Sequence, residues 1–185
     1  MRSYKTDGIV LKRKNFGEAD KILTVLTRNY GKLHLIAKGV RSTRSRKAPR
    51  LELFCLTKLL ISKGRNLDLI NDVEIISNYS NIRKSLKRIA YAYQICEIVD
   101  RLLPEQQINR SLFILLEREF VKLNSVVKIA DYHLNKFILE LLWDLGYLPK
   151  DKILSDDKIN TFVENLIERR LKSNQLLTRI DNLIV

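Results

Sequence analysis

Over the first 77 residues, apolar and polar positions come in short alternating runs; after Ser80 the period lengthens to that of a helix. The segments TDGIVLKRK, KILTVLTR, KLHLIAK, LELFCLTKLLISK and NLDLINDVEII are rich in Val, Ile, Leu and Thr. They are separated by NFGEAD, NYG, a basic stretch and KGRN. In the third run Leu33, Leu35 and Ala37 face one way, and Lys32, His34, Ile36 and Lys38 the other. Asn29-Tyr30-Gly31 and Gly64-Arg65-Asn66 supply tight hairpin turns. Five strands joined as a meander, a longer link and a final hairpin fit a small barrel of the OB type. An SH3-like barrel and an open five-stranded sheet satisfy the same periodicity nearly as well.

In the second part, Ile82, Leu86, Ile89, Tyr93, Cys96, Val99 and Leu103 mark one apolar face of a long helix that Pro104 stops. Leu112 or Phe113, Leu116, Phe120 and Leu123 mark a second. A third carries Val127, Ala130, Leu134, Phe137 and Leu141, widened by Ile138, Leu142 and Leu145, with Gly146 as its C-cap. A fourth begins near Ser155-Asp156-Asp157, where short acids suit a helix N-terminus, and runs through Ile159, Phe162, Val163, Leu166 and Ile167. Short connections predict an antiparallel bundle. The stretch LLTRIDNLIV is too short and mixed to assign.

Charge changes this picture more than composition does. The chain of 185 residues carries a net charge of +13, with a pI near 9.8, which implies a surface that attracts polyanions. Residues 1–80 hold 17 Lys or Arg against 7 Asp or Glu, whereas residues 81–185 hold 17 against 14. The excess therefore sits in the strand-bearing half of the chain. Its densest part is KGVRSTRSRKAPR, Lys38 to Arg50, with six cations and no acid. The candidate binding residues are Lys12 and Arg13 at the end of the first strand, Lys32 and Lys38 flanking the third, Arg41, Arg44, Arg46, Lys47 and Arg50 in the run, and Lys63 and Arg65 at the last hairpin. Lys14 and Lys58 accompany them. Cations at strand ends and loops of a small barrel track the backbone of a single strand, and Phe16 and Tyr30 stand in turns, where a ring either stacks on a base or packs on its hairpin.

Signals for catalysis are nearly absent. The six glycines form neither a dinucleotide fingerprint nor a phosphate loop. Neither His34 nor His133 has a carboxylate at an orienting spacing, and Asp156-Asp157 reads as a helix cap. Cys55 and Cys96 read as buried thiols in a reducing compartment, with no zinc spacing. No catalytic, cofactor or metal residue is assigned. No window reaches a membrane-spanning apolar length, so a soluble cytoplasmic protein associated with the nucleoid is expected.

Particular residues add a resemblance. Tyr4 with Thr6-Asp7-Gly8-Ile9-Val10-Leu11, Phe16-Gly17-Glu18-Ala19-Asp20, Tyr30-Gly31-Lys32 and Ala37-Lys38-Gly39-Val40-Arg41 together resemble the N-terminus of the bacterial RecO family of recombination and repair mediators. Lys63-Gly64-Arg65-Asn66-Leu67 resembles its last barrel hairpin, AYAYQICEIVDRLLPE its first long helix and LELLWDLGYLP a later helix end. The resemblance implies an OB-fold and a helical domain. It also implies binding of single- and double-stranded DNA, annealing of complementary strands and help in loading RecA onto DNA coated with the single-strand-binding protein. The implied protein partners are RecR and the acidic tail of the single-strand-binding protein, placed here near Lys84, Lys87 and Arg88. Many members carry a four-cysteine zinc site after the LGY segment. This chain reads GYLPKDKILSDDKIN there, and so resembles zinc-free, C-terminally short members.

The resulting expectation is an α+β chain, with a five-stranded OB-fold barrel over 1–79 followed by an all-helical bundle over 80–185. It is read as a non-enzymatic DNA-binding mediator. An RNA-binding or ribosome-associated module is the alternative, since a basic barrel does not by itself separate DNA from RNA.

Overall fold

The computed structural model describes residues 3–125 and 131–184. Five strands, β1 (Ser3–Phe16), β2 (Asp20–Thr27), β3 (Gly31–Ala37), β4 (Leu56–Ser62) and β5 (Asp68–Ser77), close a barrel in the order β1-β2-β3-β5-β4. This is an OB-fold barrel. All neighbours pair antiparallel except β3 and β5, which meet in parallel at Leu35 with Asp68 and Ile36 with Leu69. Alternation supplies the core: Leu23, Val25, Leu33, Leu35, Leu59, Ile61, Ile70 and Val73 are buried inside. Each such side chain contributes about 1.5–3 kcal/mol over an exposed one. β1 has a bulge between Val10 and Lys12, and Ile9, Val10 and Leu11 are all buried there, Val10 in the barrel core.

The edge of β3 is covered in sections. At its start, the Lys32 carbonyl accepts a hydrogen bond from the Gln106 N–H at 2.9 Å. Gly31, with φ of +69°, leaves room for the Gln107 backbone; a Cβ there would stand 2.3 Å from the Gln107 carbonyl oxygen. Beyond the short β5 pairing, the gap is filled by the 3-10 helix Ala48–Leu51, where Pro49 suits the first turn. Leu51 and Val40 join the barrel core there.

The fourth strand starts later than the sequence suggests. Residues 51–55 read as extended, but Phe54 adopts φ of +71° and interrupts the run. Its N–H still bonds the Val10 carbonyl at 2.9 Å, so the segment follows β1 without forming a ladder.

Five helices follow: α1 (Leu86–Leu102), α2 (Arg110–Ser125), α3 (Asp131–Asp144), α4 (Asp156–Leu166) and α5 (Lys172–Ile184). The chain clusters into two compact units, residues 1–78 with 103–113, and residues 79–102 with 114–185. The segment 103–113, counted with the helices in the sequence, thus clusters with the barrel.

The first helix is shorter than its periodicity suggests, because Ser80–Lys84 forms a 3-10 turn and Ser85 is extended. Its buried arc includes Tyr91, Ile95 and Ile98, while Leu86 and Tyr93 are exposed. Leu112, Phe113, Leu116, Phe120 and Leu123 are buried, as are Leu134, Phe137, Ile138, Leu141 and Leu142 of α3. Val127 and Ala130 lie outside the described residues. Gly146 ends α3 at φ of +76°: its N–H bonds the Trp143 carbonyl, and the Tyr147 N–H bonds that of Leu142. That pair is a Schellman closure. The unassigned tail is helical as α5. The Glu97 carboxylate on α1 accepts the Lys172 and Ser173 N–H groups and the Ser173 hydroxyl, so α1 caps the start of α5.

Candidate nucleic-acid interface

The strand registers divide the candidate cations between two ends of the barrel. Ser3 pairs with Ser62, so the β4–β5 turn with Lys63 and Arg65 lies at the start of β1. Lys12 lies roughly 30 Å further along that strand. There β1 and β2 extend as a hairpin, with Lys14 opposite Ile22 and Phe16 opposite Asp20. Because Lys21 pairs with Ala37, the basic run leaves β3 beside this hairpin.

Three hydrogen bonds fix the junction. The Gly39 N–H donates to Asp20 Oδ1 at 2.8 Å, the Arg41 N–H to the Ala19 carbonyl at 2.8 Å, and Arg41 Nη1 to the Gly17 carbonyl at 2.9 Å. The run is therefore seated against the hairpin tip. Lys12, Lys14, Lys38, Arg41, Arg44 and Arg46 are exposed on this surface, with the half-exposed ring of Phe16 at its edge.

Other cations of the run hold the barrel together. Lys47 Nζ donates to the Ile70 carbonyl at 3.4 Å, and Arg50 Nη1 to the Val73 carbonyl at 3.1 Å. Both satisfy carbonyls of β5 where β3 no longer pairs with it. Arg13 alternates away from Lys12 and Lys14 and forms an ion pair with Glu52.

The opposite end differs in character. Lys32 is only 6% exposed, which withdraws it from any cationic surface. Lys63 Nζ lies 3.0 Å from Asp68 Oδ2 and 5.1 Å from the centre of the Tyr4 ring. The Tyr4 hydroxyl donates to the same carboxylate oxygen at 2.6 Å. Burial pushes the Asp68 carboxyl up, but hydrogen bonds from Tyr4, Lys63 and the Gly64 N–H outweigh it and hold the pKa below the ordinary aspartate value. Burial, with the Asp68 bond and charge, pushes the Tyr4 phenol well up. His34 bridges Thr24 and Glu105, its Nε2 lying 2.9 Å from Glu105 Oε1, and Tyr30 packs on Tyr4 with ring centres 4.4 Å apart. Arg65 is exposed.

One feature here escapes a reading of the sequence, and one does not. Asp20 acts through its Oδ1 as the anchor for Gly39, across a separation that no short-range rule spans. Lys14 shares the outward face of Lys12, which strand alternation does reveal. In the helical unit, Lys84 is exposed, Lys87 sits 5.7 Å from the Tyr91 ring centre, and Arg88 donates to the Leu123 and Asn124 carbonyls. Among the described residues, no group of three or more His, Cys, Asp or Glu is placed to hold a metal ion, and no helix is long and apolar enough to cross a membrane. Cys55 and Cys96 are buried thiols.

Comparison with known proteins adds to this geometry. The family model for the recombination protein O N terminal region matches residues 1–79, and that for its C terminal region matches residues 83–150. The DNA repair protein RecO of Symbiobacterium thermophilum is 38% identical over 149 residues, covering 80% of this chain and 59% of that protein. Those of Caldanaerobacter subterraneus subsp. tengcongensis and of a Roseiflexus species are each 37% identical over 149 residues, covering 80% of this chain and 60% and 52% of theirs. The chain thus matches between half and three-fifths of the length of these relatives. With both regions matched in order, across the barrel and the helices that follow, the chain belongs to the RecO family.

Proposed function

We propose that this chain is a non-enzymatic mediator of recombinational DNA repair whose barrel binds single- and double-stranded DNA. The observation that carries the reading is the exposed cationic surface of Lys12, Lys14, Lys38, Arg41, Arg44 and Arg46, seated on the β1–β2 hairpin of an OB-fold barrel. Lys and Arg on such a surface neutralise phosphates and read no base edges, so binding tolerates any sequence. Two strands held on one cationic surface repel each other less and search for their pairing register. Annealing of complementary strands follows from that screening. Assistance in loading RecA onto DNA covered by single-strand-binding protein, with RecR and the tail of that protein as partners, extends the same reading.

Pairing of complementary oligonucleotides, followed by fluorescence quenching at low salt, tests it. Acceleration by the wild-type chain that weakens as salt rises is expected. A pairing rate equal to that without protein would remove annealing from the proposal, and tighter binding to single-stranded RNA than to DNA of equal length would redirect it to an RNA module.

A further inference from the structure

β5 starts at Asp68, opposite Leu35, so the first half of β3 runs past the start of β5 and faces the β4–β5 turn. A crevice of about 240 Å³ opens there, with β3 and the segment 103–109 on one side and the turn on the other. It lies at the end of the barrel away from the basic run, and the phosphate-binding surface makes no use of it. Leu33, Leu35 and Leu67 give it an apolar lining, and the exposed Ile108 stands at its lip. Drug-sized ligands fill about 300–1,000 Å³, so this space admits a single ring system.

The polar groups at its lips are reachable and are not exhausted by their contacts. Glu105 Oε1 accepts the Nε2–H of His34 at 2.9 Å, and Thr24 braces that ring through Nδ1 at 3.2 Å. The Glu105 side chain is 58% exposed, and among the described residues nothing donates to its second oxygen. Across the crevice, Lys63 Nζ uses one of its three donors on Asp68, and its side chain is 62% exposed. Asn66 is exposed beside it. An anionic acceptor and a cationic donor therefore stand on the two walls of an apolar slot. A ligand that satisfies both is flat, apolar on its faces, and carries an amino donor near a ring or carbonyl acceptor. Cytosine, adenine and guanine have such an edge. Thymine instead sets two carbonyl oxygens around its one ring donor, and these repel the Glu105 carboxylate. We infer that the crevice takes one unstacked, amino-bearing nucleobase, which donates to Glu105 and accepts from Lys63. Its source is a base of a bound strand or a free nucleotide, and only the first of these rests on the DNA-binding reading.

The test is titration of the full chain with deoxycytidine monophosphate and with thymidine monophosphate, followed by amide NMR. The cytidine nucleotide is expected to shift the Glu105, Gln106 and Asn66 amides saturably, and to bind about tenfold more tightly than the thymidine nucleotide. Glu105→Ala should remove that preference. Ile108→Trp, which fills the lip from an exposed position, should abolish binding of both. A second arm separates the sources by comparing an oligothymidylate with the same strand carrying one central cytidine. Tighter binding of the cytidine strand, lost in Glu105→Ala, assigns the crevice to a base of the strand. Equal binding of the two strands, with the free cytidine nucleotide still selected, assigns it to a free nucleotide. Absence of saturation by about 20 mM cytidine nucleotide would overturn the inference, as would equal affinity for the two nucleotides or binding that neither variant alters. None of these results touches the basic run, whose DNA binding has its own salt-dependence test.

Discussion

Arg41 Nη1 donates to the Gly17 carbonyl at 2.9 Å, joining the basic run after β3 to the tip of the β1–β2 hairpin. The contact turns two loops distant in sequence into one surface. It also separates the cations of the run by task. Arg41, Lys47 and Arg50 hold backbone carbonyls, while Lys38, Arg44 and Arg46 face solvent.

Arg50→Ala is therefore expected to act mainly on stability, lowering it by about 1 kcal/mol through loss of the Val73 carbonyl bond. Arg44→Ala should leave stability within about 0.5 kcal/mol of wild type and weaken DNA binding more. Urea unfolding and DNA titration of the two variants side by side measure both effects.

Phe16 is half exposed at the hairpin tip next to Gly17. If its ring stacks on a base, Phe16→Ala should weaken single-stranded DNA binding by about tenfold with Tm unchanged. Tyr30 packs on Tyr4, so Tyr30→Ala should lower Tm instead. Equal effects of the two variants on DNA affinity would argue against stacking at the hairpin.

The two units carry acids whose titration acts on stability in opposite directions. The Asp68 carboxylate, held below its ordinary pKa, adds stability that is present above about pH 4 and lost as pH falls through its lower folded value. Glu119 is buried, and burial outweighs the Lys122 contact to raise its pKa. Its effect is the reverse: stability is greatest below the ordinary glutamate range and declines as pH rises through the raised value. Asp68→Asn should flatten the acid limb of the stability curve, and Glu119→Gln the decline above it, both read by chemical denaturation across pH.

Glycines at two turns should differ in cost. Gly146 has open space at its Cβ position, so Gly146→Ala meets only the left-handed backbone penalty, about 1 kcal/mol. At Gly31 the same penalty is joined by a clash with the Gln107 backbone. Gly31→Ala is expected to cost at least about 3 kcal/mol and to release the segment 103–109 from β3, detectable by hydrogen exchange.

The sequence makes the barrel and most helices legible because period-two and 3.6-residue burial are local properties. What it hides is nonlocal. Phe54 breaks the extended run at 51–55 because its chain must turn along β1 at Val10. The helix α5 begins where Glu97, far back in α1, accepts its first N–H groups, so no cap is visible near Lys172. For α1, spacing alone selects the stripe through Tyr93; Cys96 and Val99 of that stripe are buried, but Tyr93 is exposed, and neighbours on more than one side bury Tyr91 and Ile95 as well. Charge counting likewise finds the basic run, but the carbonyls that engage Lys47 and Arg50, and the burial of Lys32, exist only once the strands have paired.

The most direct test of the proposed interface is the salt dependence of single-stranded DNA binding by wild type and by a Lys38→Ser, Arg44→Ser, Arg46→Ser variant. Each phosphate neutralised contributes roughly −0.7 to the slope of log K against log salt, so the triple variant should be shallower by about 2 and weaker at low salt. An unchanged slope and affinity would place the DNA on another surface of the chain.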